Sequence, residues 1–104
     1  MRSAIPSFLI LAAVTALPQA AAAASAAQGQ TLAKRWCAAC HVVAVDQKSG
    51  NTQAPPFSAI AKRPGLDAAK VALYLLAPHP KMPDMSLSRS EAADLAAYIA
   101  SQGQ

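Results

Sequence analysis

The sequence is short of thiol and metal-binding side chains: its 104 residues include two cysteines and two histidines. A structural zinc site needs four ligands, so Cys37, Cys40, His41 and His79 would all have to serve, at spacings unlike a zinc finger. A disulfide between the two cysteines would be strained and would close almost no loop. A dithiol redox site usually lies beside a βαβ pattern, which the sequence lacks. A zinc site, a structural disulfide and a dithiol redox site are therefore disfavoured as roles for these residues.

A large excess of charge is also missing. Nine basic and five acidic residues give a formal net charge of +4. The basic residues are scattered, which does not predict a nucleic-acid interface. They fit a surface that docks an acidic protein partner, or a surface that is simply solvated. Lys62 and Lys81 are the candidates for such a docking surface.

The strongly apolar segment 5–17 is too short to span a bilayer. It follows an arginine near the N-terminus and leads into an alanine-rich stretch with several small-x-small cleavage sites, the pattern of a secretory signal peptide. We expect a signal peptide over residues 1–24, cleaved after Ala24 or Ala26. The remaining residues, 25–104, are enough for one domain.

The motif that the sequence does contain is Cys-Ala-Ala-Cys-His at residues 37–41. Two thiols three positions apart, followed at once by an imidazole, are the pattern that attaches a c-type haem. On a helix, Cys37 and Cys40 share one face, so both sulfurs can reach the vinyl groups of a porphyrin. His41 would then be the proximal iron ligand. In bacteria such attachment occurs outside the cytoplasm, in agreement with an export signal.

Apolar spacing predicts three main helices. The first is expected over 27–39, with both thiols on its buried side and with Gly29 allowing another helix to approach closely. The second, 66–76, is apolar nearly all round, which predicts burial on two sides, against a helix and against the cofactor. Ser88 and Glu91 form a capping box that predicts the start of the third. Its expected buried stripe is Ala92, Leu95, Ala96, Tyr98 and Ile99.

Two proline-rich segments are candidates to complete the iron site. A rigid Pro55 carbonyl facing the His41 Nδ1–H would fix the ring and raise the basicity of its ligating nitrogen. Three prolines between positions 78 and 83 predict a stiff loop, which can hold a thioether at a fixed distance from iron. Met82 is the preferred distal ligand, ahead of Met85 and His79.

With these motifs in place, residues 27–102 resemble the small monohaem class I cytochromes c of the bacterial periplasm. The resemblance rests on Gly29 eight positions before Cys37, on Pro55, and on Met82-Pro83 followed by the pattern of the final helix. It implies an all-α cytochrome c fold, with three main helices and short turns wrapped around one covalently attached haem. It also implies electron transfer rather than an enzymatic activity.

The resemblance further implies that Leu95 and Tyr98 meet Gly29 where the first and last helices cross. One position departs from the family pattern: the family often has an aromatic residue four positions before the first haem cysteine, where this chain has Ala33. Trp36 is the candidate to compensate for it.

We therefore expect a monomeric, periplasmic one-electron carrier whose haem is held by Cys37 and Cys40, with His41 and Met82 on the iron. Its partners would be redox proteins such as an oxidase, a dehydrogenase or a quinol-oxidising complex. The alternatives are a haem subunit of a larger periplasmic dehydrogenase and a five-coordinate haem peroxidase or gas sensor. Because so small a protein core is marginal on its own, we expect the apoprotein to be unfolded.

Overall fold

The computed structural model describes residues 13, 15, 16, 23–51, 53–77 and 81–103, and across these ranges the secondary structure is helical, without strands. The expected all-α architecture is confirmed. The helices in chain order are α1 (Ala26–Trp36), α2 (Phe57–Ala61), α3 (Ala68–Leu76) and α4 (Arg89–Ser101). Most of the expected signal peptide, and His79, lie outside the described residues. In the part that is described, no helix is long and apolar enough to cross a membrane.

Three of the helices begin with a side-chain cap that satisfies an otherwise unpaired backbone N–H. At α4 the predicted capping box is confirmed, because the Ser88 hydroxyl accepts from the Glu91 N–H and the Glu91 carboxylate accepts from the Ser88 N–H, both at 3.0 Å. The Asp67 carboxylate caps α3 by accepting from the N–H two residues on, at 2.8 Å. The Ser25 hydroxyl caps α1, accepting from the Gln28 N–H at 3.2 Å.

Helix α4 connects the other elements. It contacts α1, α2 and α3, whereas those three helices do not contact one another within the described residues. Its buried residues are those predicted from the periodicity, and Leu95 is fully buried. Because α4 holds the other helices without their touching, space remains between them for a bound group.

The crossing of α1 and α4 is a contact between backbones. A Cβ added at Gly29 would lie 2.6 Å from the carbonyl carbon of Asp94 and 2.8 Å from the Cβ of Tyr98. Only glycine leaves room for an approach this close. The predicted crossing at Gly29, with Tyr98 against it, is confirmed.

Helix α1 ends three residues earlier than expected. The N–H groups of Cys37 and Ala38 both bond to the carbonyl of Ala33, at 2.9 and 3.1 Å, so the regular helical ladder stops after Trp36. Ala33 is fully buried, but Trp36 is 41% exposed and its ring stacks 4.8 Å from the Arg35 guanidinium carbon. Trp36 therefore lies on the surface and does not compensate for the small residue in the core.

Helix α3 is less buried than its composition predicted. None of its residues is fully buried, although Val71 and Leu75 are half-buried and pack against the core. Leu73 is 68% exposed and Leu76 is 38% exposed. The side of α3 that carries Val71 and Leu75 packs against the core, whereas Leu73 and Leu76 face outwards.

We predict that Gly29→Ala strongly destabilises the protein, since the new methyl group would collide with α4 backbone that cannot move independently. Overpacking of this kind costs about 3 kcal/mol, or a fall in Tm of more than about 10 °C for a domain of this size. Thermal unfolding of the haem-loaded protein measures it. Gln28→Ala, an exposed change one position earlier in α1, should leave Tm nearly unchanged. A Gly29→Ala protein as stable as wild type would refute the close crossing.

We predict that Glu91 makes the stability of α4 depend on pH. The backbone N–H and the hydroxyl of Ser88 lower the pKa of Glu91 from its ordinary value of 4.5. Its stabilisation is therefore present above pH 4.5 and is lost as the pH falls through the lower folded-state pKa. Glu91→Gln should flatten this part of the stability curve, measured by denaturant unfolding at pH 3 to 6. An unchanged slope in the variant would contradict the prediction. Because Glu91 is exposed, the effect should be small.

Candidate haem-binding site

The Cys-Ala-Ala-Cys-His segment forms a tight turn directly after α1. The carbonyl of Cys37 accepts from the N–H of Cys40 at 3.1 Å and from that of His41 at 2.8 Å. Because the chain has already left the helix, the two thiols differ: Cys37 is buried and Cys40 is exposed. The expectation that both lie on the buried side is wrong for Cys40.

Burial has a chemical consequence for the free Cys37 thiol. Loss of solvent raises its pKa from 9.0 to about 11, so the thiol is protonated at neutral pH. A dithiol redox centre needs a thiol with a lowered pKa, because the thiolate is the attacking species. The environment of Cys37 therefore disfavours that alternative. Both cysteines are free in the structure.

The imidazole of His41 is buried and oriented by the backbone of Pro55. The distance from His41 Nδ1 to the Pro55 carbonyl oxygen is 2.6 Å. A carbonyl can only accept, so Nδ1 is the donor and a neutral ring carries its lone pair on Nε2. The contact anticipated from the sequence is present, and it leaves Nε2 as the nitrogen able to bind a metal.

The ring of Phe57 packs against the histidine, and the ring of Tyr98 packs against Phe57. Phe57 is buried, and its ring centroid lies 5.4 Å from that of His41 and 6.3 Å from that of Tyr98. The Tyr98 hydroxyl donates to the Val43 carbonyl at 2.6 Å, and burial raises its pKa. The Phe57 N–H also donates to the Val42 carbonyl, at 2.9 Å. Helix α4 and the proline segment thus hold the residues that follow His41.

Gln47 is a further element of the site, and the sequence analysis missed it. Its amide nitrogen donates to the carbonyls of Ala38, His41 and Ser49, at 3.0, 2.7 and 3.1 Å. Its amide oxygen accepts from the Val43 N–H at 2.9 Å. One side chain therefore joins the haem-binding turn to the segment after it. Only an amide offers both donors and an acceptor in this arrangement.

The loop after Gln47 also lies against the turn. A Cβ at Gly50 would lie 2.6 Å from the Cys40 carbonyl oxygen and 3.1 Å from the His41 carbonyl carbon. The Asn51 N–H donates to the same Cys40 oxygen at 2.6 Å. The polar segment around Gly50 and Asn51 therefore packs closely against the backbone of residues 40–41.

A cavity of about 640 Å³ lies beside the haem-binding turn, a size typical of sites for small molecules and cofactors. Cys37, His41 and Met82 all line it, so that a thiol, an imidazole and a thioether border the same cavity. Met85 is not among the lining residues. The rest of the wall is mainly apolar and includes Pro55, Phe57, Ile60, Leu66, Val71, Leu75 and Ile99.

Charged residues also reach the cavity. Arg63 and Lys70 line it, together with the carboxylate-bearing Asp67. Arg63 begins a turn in which the Leu66 N–H donates to its carbonyl at 3.2 Å, and Gly65 has a φ of +71°, as the third position of a type II turn requires. The donor set and the apolar walls fit a haem, whose faces are apolar and whose iron takes imidazole and thioether ligands.

Comparison with known proteins agrees with this geometry. Residues 26–103 match the sequence model of the family described as cytochrome c. A cytochrome c-552 from Bradyrhizobium diazoefficiens is 50% identical over 92 residues, which cover 88% of each chain. No solved structure matches the chain significantly. The chain belongs to the cytochrome c family.

This membership defines the cofactor and the class of activity. The protein is a small c-type cytochrome with the all-α cytochrome c fold, and its cofactor is covalently attached haem c. Cys37 and Cys40 have the spacing that this attachment requires. The protein functions as an electron carrier. Among the described residues, no group of three or more His, Cys, Asp or Glu side chains offers a different metal site.

We predict that Gln47→Ala loosens the haem-binding turn. The variant leaves one N–H and up to three carbonyls without their partner, at about 1 kcal/mol or more for each group that water does not reach. Tm of the haem-loaded protein should fall by about 10 °C, and the CD spectrum of the haem band should change. Gln53→Ala alters another glutamine of the same loop, whose side chain is exposed. That control should behave as wild type; equal effects in both variants would contradict a specific role for Gln47.

Proposed function

We propose that this protein is a periplasmic one-electron carrier whose haem iron is held between His41 and Met82. The observation that supports this most directly is that both side chains line the same cavity as Cys37. When bound, haem supplies an iron that alternates between the ferrous and ferric states. The chain supplies the two thiols for attachment, the axial ligands and a largely apolar enclosure.

His41 is suited to be the proximal ligand. Its ring is held by the hydrogen bond to Pro55 and by the contact with Phe57. A histidine that donates from one ring nitrogen to a carbonyl keeps a fixed orientation, and its other nitrogen becomes a better ligand. Nε2 of His41 is therefore the proposed iron-binding atom.

Met82 is the proposed distal ligand. It is half-buried and lines the cavity, whereas Met85 is half-buried without lining it. The chain turns between Met85 and α4, where the Asp84 carboxylate accepts from the Ser86 N–H at 2.9 Å and Ser86 has a φ of +51°. Thioether sulfur is a soft, neutral ligand that favours ferrous iron and raises the reduction potential.

His41 and Met82 as the two iron ligands would favour a carrier over the enzymatic and sensory alternatives. With both ligands in place, the iron would offer no coordination site to a peroxide or a gas. A change of oxidation state would then alter charge with little rearrangement, which suits rapid electron exchange. Pro55 and Phe57 contact the His41 ring and Gln47 bonds to the His41 backbone carbonyl, so that the proposed ligand would move little when the charge changes.

We further propose that residues 1–24 are a signal peptide, that residues 25–104 form the mature monomer, and that its redox partners are acidic at the contact surface. Lys62 and Lys81 are exposed, and Arg63 and Lys70 lie at the cavity wall. Positive charge around a haem cavity steers an acidic partner towards the site of electron exchange.

Size-exclusion chromatography of native protein separates a free carrier from a subunit of a larger dehydrogenase.

We predict that Met82→Leu removes the sixth ligand. In wild type, the oxidised protein should show the weak far-red absorption that marks methionine–iron coordination, and the reduced protein should bind CO slowly. Met82→Leu should abolish that absorption, lower the reduction potential and accelerate CO binding. Met85→Leu, the matched change three residues away, should leave all three properties near wild type.

The same measurements can refute the assignment. Loss of the far-red absorption in Met85→Leu but not in Met82→Leu would assign the ligand to Met85. Its persistence in both variants and in the double variant would exclude both methionines. A wild-type protein that is high-spin and binds CO rapidly would favour the peroxidase or sensor alternative.

A further inference from the structure

We propose that the exported chain is cleaved between Ala24 and Ser25, and that the new α-ammonium group of Ser25 forms an ion pair with Asp94 on α4. The inference rests on the proposed export and on the proposed mature chain 25–104, and goes beyond them by giving a structural reason for that cleavage bond and a role to the new terminus. Cleavage by a signal peptidase adds water across the bond, which leaves a carboxylate on Ala24 and, at neutral pH, an ammonium on Ser25.

The first observation concerns the hydrogen bonds that Ser25 makes to the folded domain. Its N–H donates to the Asp94 carboxylate at 2.7 Å, across 69 positions of sequence. Its hydroxyl accepts from the Gln28 N–H at 3.2 Å, and its carbonyl accepts from the Gly29 N–H at 3.0 Å. The backbone nitrogen, the side chain and the carbonyl of Ser25 thus all have partners in the folded domain.

The second observation concerns charge at the start of α1. The N-terminus of a helix carries a partial positive charge, so an ammonium group there is unfavourable unless a carboxylate compensates it. The first turn of α1 contains no acidic residue. Asp94, which comes from α4, supplies the carboxylate at hydrogen-bond distance from the nitrogen that becomes the ammonium.

These contacts discriminate between the two cleavage bonds that the sequence permits. Cleavage after Ala26 would remove Ser25, and with it the cap of α1 and the partner of Asp94. Cleavage after Ala24 keeps both and places a positive charge on the nitrogen that already donates to the Asp94 carboxylate, so that the hydrogen bond becomes an ion pair. Both bonds have small residues at the two required positions, so the folded structure, rather than the cleavage motif, favours the bond before Ser25.

The cleavage bond is tested on haem-loaded protein purified from the periplasm, by N-terminal sequencing and intact mass. We expect Ser25 as the first residue. A chain that begins at Ala27 would overturn this inference and would leave the proposed export intact. Haem-free, uncleaved protein retained in the cytoplasm would instead contradict the export on which the inference rests. The two failures are therefore distinguishable.

The ion pair is tested by comparing two haem-loaded proteins, one beginning at Ser25 and one that keeps a single extra alanine before it. In the longer chain the Ser25 nitrogen is an amide. Asp94→Asn keeps a hydrogen-bond acceptor but removes the charge, and we expect it to lower Tm about 4 °C more in the chain that begins at Ser25. High salt should shrink this difference.

Asp46→Asn removes an exposed carboxylate elsewhere and should have the same effect in both chains. Equal losses for Asp94→Asn in the two chains would show that Asp94 serves only as an acceptor, and would overturn the ion pair. A larger loss in the longer chain would overturn it as well.

Discussion

The contact between the backbones of α1 and α4 at Gly29 is the constraint on which the rest of the structure depends. It places the carbonyl of Asp94 against the first turn of α1 and so fixes the position of that helix on α4. The haem-binding turn begins where α1 ends. Farther along α4, Tyr98 lies near Gly29 and also donates to the Val43 carbonyl, beyond the turn. One crossing therefore locates the residues on both sides of the turn.

The site itself is held mainly by hydrogen bonds to backbone atoms. Pro55 contributes its carbonyl to His41, and the Gln47 amide bonds to the backbone of Ala38 before that histidine and of Val43 after it. Bonds of this kind fix the main chain whatever side chains line the cavity. The side chains that line the cavity can then be mainly apolar, as a haem requires, because the polar contacts are made by backbone atoms outside the cavity. The separation explains how so small a protein can combine a rigid ligand with an apolar pocket.

Features with a local physical cause were predictable from the sequence. The capping box at Ser88 and Glu91 depends on two residues three positions apart, and the structure reproduces both hydrogen bonds. The buried stripe of α4 follows from helical periodicity. The Pro55 carbonyl was predictable because proline restricts the backbone and still leaves an acceptor. Sequence spacing also placed a close helix approach at Gly29 correctly.

Features that depend on the path of the chain between elements were not predictable. Gln47 and Gly50 lie in a polar segment without periodicity, and their role appears only when that segment folds back on the turn. The exposure of Cys40 was missed because helical spacing was extended past the point where Ala33 accepts two N–H groups and the helix ends. For α3, the apolar composition gave no indication of which side stays uncovered.

The crossing at Gly29 also has a consequence for how the chain folds. Helical proteins usually fold quickly because most of their contacts are local. Here the first helix, α1, packs against the last helix, α4, and the hydrogen bond from Ser25 to Asp94 spans 69 positions. The entropy of closing that loop must be lost before the contact forms. Haem attached at Cys37 and Cys40, directly after α1, would lie in a cavity that Ile99 of α4 also lines. Insertion of the cofactor would therefore help to bring the first and last helices together.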